Sequence, residues 1–311
     1  LKPFDFTPLR LRVFERGWLS SNNTLLLGRD DSEGALLVDS SHCLHAEQTL
    51  DLVRHGLGAQ PLRGVINTHL HSDHCGGNAA LAEAFAVPVS IPSGSWAAVS
   101  AWDETALSYQ ATGQRCVRFV AQHRLHAGGV IEHSGLHWQV LAAPGHDPDS
   151  IMLFEPEHGV LISADALWQN GFGVVFPEIE GIAAFDDVGA VLDTIERLPV
   201  RVVIPGHGGP FTDVAAALER ARQRLQGFRA DPARHARHAA KVLIKYHLME
   251  ERSQAWGPLL AWAQSTPLLA RLWADVGRGS APSIAAWCEQ LVADMAHSGA
   301  LKLNADGVAD A

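Results

Sequence analysis

Short runs rich in β-branched residues and leucine recur through the first two thirds of the chain, at 24–27, 35–38, 64–66, 87–91, 138–142, 151–154, 160–163 and 202–204. Each has the length and composition of a strand. Helix-period stretches at 46–55, 78–85 and 185–197 separate some of them, whereas others follow one another directly through turns marked by glycine or proline. The pattern predicts mixed sheets with helices outside, and it lacks the regular alternation of a doubly wound sheet or a (β/α)₈ barrel. Beyond the turn at 205–210 the texture becomes helical, over 212–228, 232–249, 258–262, 267–276 and 282–297. Apolar positions there, such as Leu259, Trp262, Leu291 and Met295, recur at helical spacing and predict a packed module. The expected division is a catalytic domain over 1–215 and a helical cap over 216–311, an α+β chain.

Composition narrows the classes. The 311 residues, 47% hydrophobic and 19% charged, suit one large domain with a smaller appendage. No apolar run approaches the roughly 18 residues of a membrane span, and residues 1–21 carry no signal-like apolar core, so a cytoplasmic protein with no membrane partner is expected. The four cysteines lie far apart without C-x-x-C spacing, which predicts free thiols rather than a cysteine metal site. A formal charge of -10 opposes a general polyanion-binding surface. The 17 histidines matter only where several converge.

Several do so at Thr68-His69-Leu70-His71-Ser72-Asp73-His74-Cys75-Gly76-Gly77-Asn78. Alternation along an extended segment points His69 and His71 the same way, while Asp73 and His74 fall on the turn into the next helix. One loop can therefore serve two neighbouring ions. Imidazoles and carboxylates suit zinc without any thiolate, although iron or manganese fits the same donors. Cys75 reads as packing, and His42, His45, His123, His126, His133, His137 and His158 read as surface or structural residues.

This motif resembles that of the metallo-β-lactamase-fold superfamily, and within it the hydrolases related to glyoxalase II, whose pattern is T-H-x-H-x-D-H-x-G-G-N. The resemblance continues through Pro144-Gly145-His146, Ser163-Ala164-Asp165 and Pro205-Gly206-His207 and spans roughly residues 20 to 215. It implies a four-layer αββα sandwich and two zinc ions. His69, His71 and His146 would hold one ion and Asp73, His74 and His207 the other, with Asp165 between them. Asp39 would support the ligands without touching metal. Asp73 or Asp165 would carry the proton in catalysis, and Trp168, Phe172 and Phe176 could line the substrate cleft.

The implied activity is a dinuclear zinc hydrolase that opens a small-molecule ester, thioester or lactone with a hydroxide held between the metals. Three features separate the chain from glyoxalase II itself: Ala164 replaces the usual glycine, Asp147-Pro148-Asp149-Ser150 follows His146 where family members often carry a Thr or Ser, Pro, Gly and His, and the Asn-Pro-Phe-Leu-Arg segment that grips glutathione is missing. Another branch of the superfamily carries a winged-helix-like module and cleaves RNA. Between Thr212 and Arg252 nine basic residues face five acidic ones, so a metal-dependent endoribonuclease or phosphodiesterase is the alternative, with nucleic acid the less favoured partner. A mononuclear-iron enzyme resembling persulfide dioxygenases is a second alternative. A homodimer through the helical end is a further expectation.

Overall fold

In the computed structural model, which describes residues 4–304 and 307–311, the chain forms two compact units. The first runs to Asp103 and resumes over Arg115–Leu225; the second comprises Glu104–Gln114 and Gln226–Ala311.

The first unit is built on two sheets. One contains β1 (Leu11–Phe14), β2 (Asn23–Leu26), β3 (Ala35–Val38), β4 (Leu62–Ile66), β5 (Val89–Pro92) and β6 (His123–Leu125) in that spatial order. Its first three strands pair antiparallel and the remainder parallel. The other runs from β11 (Val202–Pro205) through β10 (Val160–Ala164), β9 (Ile151–Glu155) and β8 (Leu136–Ala142) to β7 (Val130–His133). All its pairs are antiparallel except β10 with β11.

Alternate side chains of both sheets meet in one apolar cluster: Leu11, Leu26, Val38 and Ile66 from the first, and Trp138, Val140, Ile151, Leu153, Val160, Ile162, Val202 and Ile204 from the second. The spacing of two within each strand follows from the pleat, which sends successive side chains to opposite faces. Every residue of β9 and β10 is buried, so both faces of those strands are covered. Helices Ala46–Leu57 and Asn78–Phe85 pack against each other and on the first sheet. Helix Phe185–Arg197 buries Phe185, Val188, Val191, Leu192 and Ile195 along one face, the stripe a 3.6-residue period produces.

The expected boundary at residue 215 differs from the structural division, which falls inside helix Val214–Ala230 after Leu225. The first turns of that helix are tied to the first unit, through Arg220 Nε to the Gln169 carbonyl and Arg222 to Asp193 and Glu196. The short helix Tyr109–Thr112 belongs to the second unit, where it packs on Pro267–Leu272.

The second unit has the predicted helices, with Pro232–Glu251 starting where Asp231 caps the Arg234 N–H. It also contains an unpredicted antiparallel sheet of β12 (Ser253–Ala255), β13 (Leu301–Leu303) and β14 (Gly307–Asp310), with β14 central. The helical module thus carries a small sheet besides its helices. These strands are three or four residues long, too short for an alternating pattern to register.

Candidate metal centre

Strands β8 and β10 both run antiparallel to β9, and β11 runs parallel to β10, so these three strands end at one edge of their sheet. His146 follows β8, Asp165 directly follows β10, and His207 lies just past β11. From the other sheet β3 leads to Asp39, and the parallel β4 leads to His69, His71 and the helical turn Ser72–Cys75 that carries Asp73 and His74. Five loops thus deliver the polar residues to one place, and all seven candidate ligands are buried.

They form two groups, each with ligand atoms within 4.8 Å of one another: His69, His71 and His146, and Asp73, His74, Asp165 and His207. In the first, His71 Nδ1 lies 3.1 Å from His69 Nε2 and 2.7 Å from His146 Nε2. In the second, His207 Nε2 is 2.9 Å from Asp73 Oδ2, and His74 Nε2 is 3.4 Å from Asp165 Oδ1. Asp165 spans the two groups, since its Oδ2 also stands 3.3 Å from His146 Nε2.

The outward nitrogens have anchors. His74 Nδ1 is 2.8 Å from Asp39 Oδ2, His146 Nδ1 faces the Val174 carbonyl, and the Thr68 hydroxyl is 3.2 Å from His69 Nδ1. Such partners fix tautomer and ring orientation so that the other nitrogen presents its lone pair inward. Asp39 also accepts the N–H and hydroxyl of Thr68 at 2.8 Å each. It does so from a backbone with φ of 59°, in the left-handed region where aspartate is among the tolerated residues. Ala164, just before Asp165, has φ of 47°. Glycine is the residue that region favours, so an alanine there holds a backbone conformation that glycine would adopt at less cost.

Electrostatics prepare the donors. Burial, aided by the charges of His74, His71 and His146, pushes His69 well below its ordinary value, and burial with His146 brings His71 down to about 3. Burial also lowers His146, against the opposing pull of Asp165. These imidazoles are neutral at physiological pH, the form that binds metal. Burial would raise the Asp73 carboxyl, but His74 and the His207 hydrogen bond outweigh it and bring it to about 2. Asp165 is likewise held well below the carboxylate range by His74 and His207 against the effect of burial.

His74 rises well above its ordinary value, because Asp165, Asp39 and Asp73 outweigh its burial. Its Nε2 is a buried atom without a hydrogen-bond partner, as is His207 Nδ1. An inward imidazole nitrogen left unsatisfied beside two ionised carboxylates is the environment a divalent cation completes, with its charge replacing that of the proton. The residues therefore fit a pair of such ions.

The model of the metallo-beta-lactamase superfamily matches residues 16–207, the stretch that contains every one of these side chains. The chain belongs to that superfamily. A hydroxyacylglutathione hydrolase from Synechococcus sp. (strain JA-3-3Ab) is 30% identical over 189 residues, which cover 61% of this chain and 64% of that enzyme. The chain thus spans just under two thirds of the length of that relative. A probable metallo-hydrolase of Bacillus subtilis, YqgX, is 25% identical over 159 residues, covering 50% of this chain and 72% of its own.

Among solved structures, a metallo-beta-lactamase family protein from Thermus thermophilus superposes with a TM-score of 0.54 at 21% identity, covering 97% of this chain and 98% of the other. A beta-lactamase domain protein from Burkholderia ambifaria does so with a TM-score of 0.56 at 21% identity, covering 99% and 93%. Both establish the fold of the superfamily member described here.

Aromatic residues border the centre. Phe176 meets the rings of His71 and His146 at 5.1 and 5.7 Å, and Trp168 meets His207 edge-on at 5.4 Å. Trp168 also donates its indole N–H to Asp165. Phe172 is fully buried, with the Arg224 guanidinium over its ring.

Sequence reasoning missed Trp18, which stacks on His207 with the rings 7° from parallel and remains 58% exposed. It also missed a polar scaffold. Asn22 Nδ2 donates to the Pro205 and Gly208 carbonyls on either side of His207, and Asn67 Nδ2 donates to the His74 carbonyl. Asn78 was visible as the end of the motif; its amide bonds Asn67, and its oxygen accepts from Ser40. Trp18 and Asn22 lie in an irregular loop with no periodic signal.

Among the described residues, no helix is long and apolar enough to cross a membrane.

Proposed function

We propose that the chain is a metal-dependent hydrolase with two divalent ions, zinc in the first instance, acting on a small-molecule ester, thioester or lactone. The observation that carries this reading is the position of Asp165, whose two oxygens face both groups of ligand atoms. Two ions a few ångströms apart would polarise the scissile bond and lower the pKa of an attacking water towards neutrality. The complete second set of donors favours two ions over the single iron of a dioxygenase. The similarity to hydroxyacylglutathione hydrolases supports thioester chemistry.

The chain's own residues then have distinct tasks. His69, His71 and His146 would hold one ion, and Asp73, His74 and His207 the other. Asp73 or Asp165 would carry the proton released during attack. Trp18 and Phe176 would contact the organic part of the substrate, because both lie on aromatic rings of the ligand set.

The nucleic-acid reading is second, because much of the basic segment is committed within the protein. Arg222 pairs with Asp193 and Glu196, Lys241 pairs with Asp294, and Lys245 bonds the Ala300 carbonyl and Asp310.

The deciding experiment offers zinc-loaded protein a glutathione thioester, an acyl-homoserine lactone and a short single-stranded RNA, with Asp165→Asn as control. Turnover of the thioester or lactone that disappears in the control, together with loss of bound zinc, is the expected outcome. RNA cleavage alone would reverse the ranking of substrates, and full activity of the control would remove Asp165 from the site.

A further inference from the structure

Three cysteines that are scattered in sequence converge beside the metal-site loop. Cys75, the residue after His74, is fully buried, and its Sγ lies 3.4 Å from the Leu70 carbonyl and 3.8 Å from the Sγ of Cys116. Cys116 is partly exposed and lies in the irregular stretch 114–122, flanked by exposed residues such as Val117 and Val120. Cys43 is directed elsewhere, with its Sγ 3.5 Å from the Arg115 carbonyl. Two thiols in van der Waals contact need to approach by only about 2 Å to reach disulfide length. That approach falls to Cys116, in the irregular segment, since Cys75 is held in the helical turn Ser72–Cys75.

We propose that Cys75 and Cys116 are a redox pair that closes to a reversible disulfide on exposure to a peroxide. In the first step the accessible Cys116 sulfur attacks a peroxide oxygen and the O–O bond breaks, giving Cys116 sulfenic acid and, from hydrogen peroxide, one water. In the second, the Cys75 sulfur displaces the hydroxyl from that sulfur. The S–S bond forms, and the Cys75 proton leaves with the hydroxyl as a second water. Two thiols lose two electrons and one peroxide gains them. The bond fastens the turn bearing Asp73 and His74 to the 114–122 segment, and a dithiol reverses it.

The test treats the full-length chain with hydrogen peroxide, unfolds it and counts free thiols with N-ethylmaleimide before and after dithiothreitol. The expected result is two alkylated cysteines in place of the four free ones, a mass about 2 Da lower before alkylation, and a peptide linking Cys75 to Cys116. Dithiothreitol restores all four thiols. Cys43→Ser retains the linked peptide and Cys116→Ser abolishes it; both positions are only partly buried. Four free thiols after peroxide, a stable oxygen adduct on Cys116 without a link, or a link through Cys43 would each overturn the proposal.

Discussion

The indole N–H of Trp168 donates to Asp165 Oδ1 at 3.1 Å, while the other carboxylate oxygen faces His146 and His207. A residue three positions along the chain thereby sets the rotation of the carboxylate that spans the two groups of ligands. The same indole ring lies edge-on to His207 and to Trp18, so one side chain steadies a carboxylate and packs against an imidazole.

Trp168→Phe keeps a ring against His207 and deletes only the N–H. Removing such an outer partner typically weakens metal binding or activity by about 10–100-fold. Metal titration against a chelator, together with kcat/KM, measures the loss. Unchanged affinity and activity would show that Asp165 is oriented without the indole.

Asp39→Asn tests charge with little change of shape, since asparagine also tolerates the left-handed backbone that position adopts. The substitution weakens the hold on His74 Nδ1 and removes one of the carboxylates that raise its pKa. Metal affinity is expected to fall by about 10–100-fold while the fold survives. Circular dichroism and metal analysis on the same sample separate the two. Wild-type occupancy would make Asp39 a turn residue only.

Acid should destabilise the metal-free protein. His71 titrates near 3 when folded, against an ordinary value of 6.5, and His69 and His146 are also lowered. Between those values the unfolded chain binds protons that the folded chain excludes, so stability falls as pH drops below about 6.5. Asp73, lowered to about 2, adds a further loss as pH falls through the ordinary carboxylate range near 3.8. His74 has the opposite sign: its raised value favours the folded state at low pH, and that contribution is lost as pH rises through the folded value. Four imidazoles are lowered, His133 among them, against a raised His74 and an Asp147 carboxyl that burial pushes up to about 7, so Tm is expected to decrease from pH 7 to pH 5. Thermal scans across that interval check it, and a flat or rising Tm would mean that His74 and Asp147 dominate.

Trp18→Ala removes an exposed ring stacked on His207 and leaves every proposed metal donor in place. Aromatic contacts of this kind contribute roughly 0.5–1.5 kcal/mol, so KM for an apolar acyl substrate should rise about 3- to 10-fold with metal content unchanged. A loss of metal in the variant would assign Trp18 to holding His207 instead of substrate.

The catalytic half was legible in the sequence for particular reasons. Strands such as β9 and β10 are short apolar runs buried on both faces, and the cluster from His69 to His74 is too dense in donors to pass as an ordinary turn. Less legible were β6, with exposed His123 and Arg124, and β7, whose Val130 and Glu132 are also exposed. Neither has the apolar composition that marks a strand, and each sits at a sheet edge where burial is partial.

By itself the sequence determined which residues carry metal-binding chemistry and that they follow strands, because donor type and local spacing are properties of the chain. The tertiary structure decided which of them meet. It set Asp165 between the two groups of ligands, sent Asp39 across 35 positions to His74, and stacked Trp18 on His207. It also placed Cys116 against Cys75 and drew Phe172 into the interior. Those relationships depend on how two twisted sheets pack and where their loops emerge, and distances of that kind are not encoded in the spacing of residues along a chain.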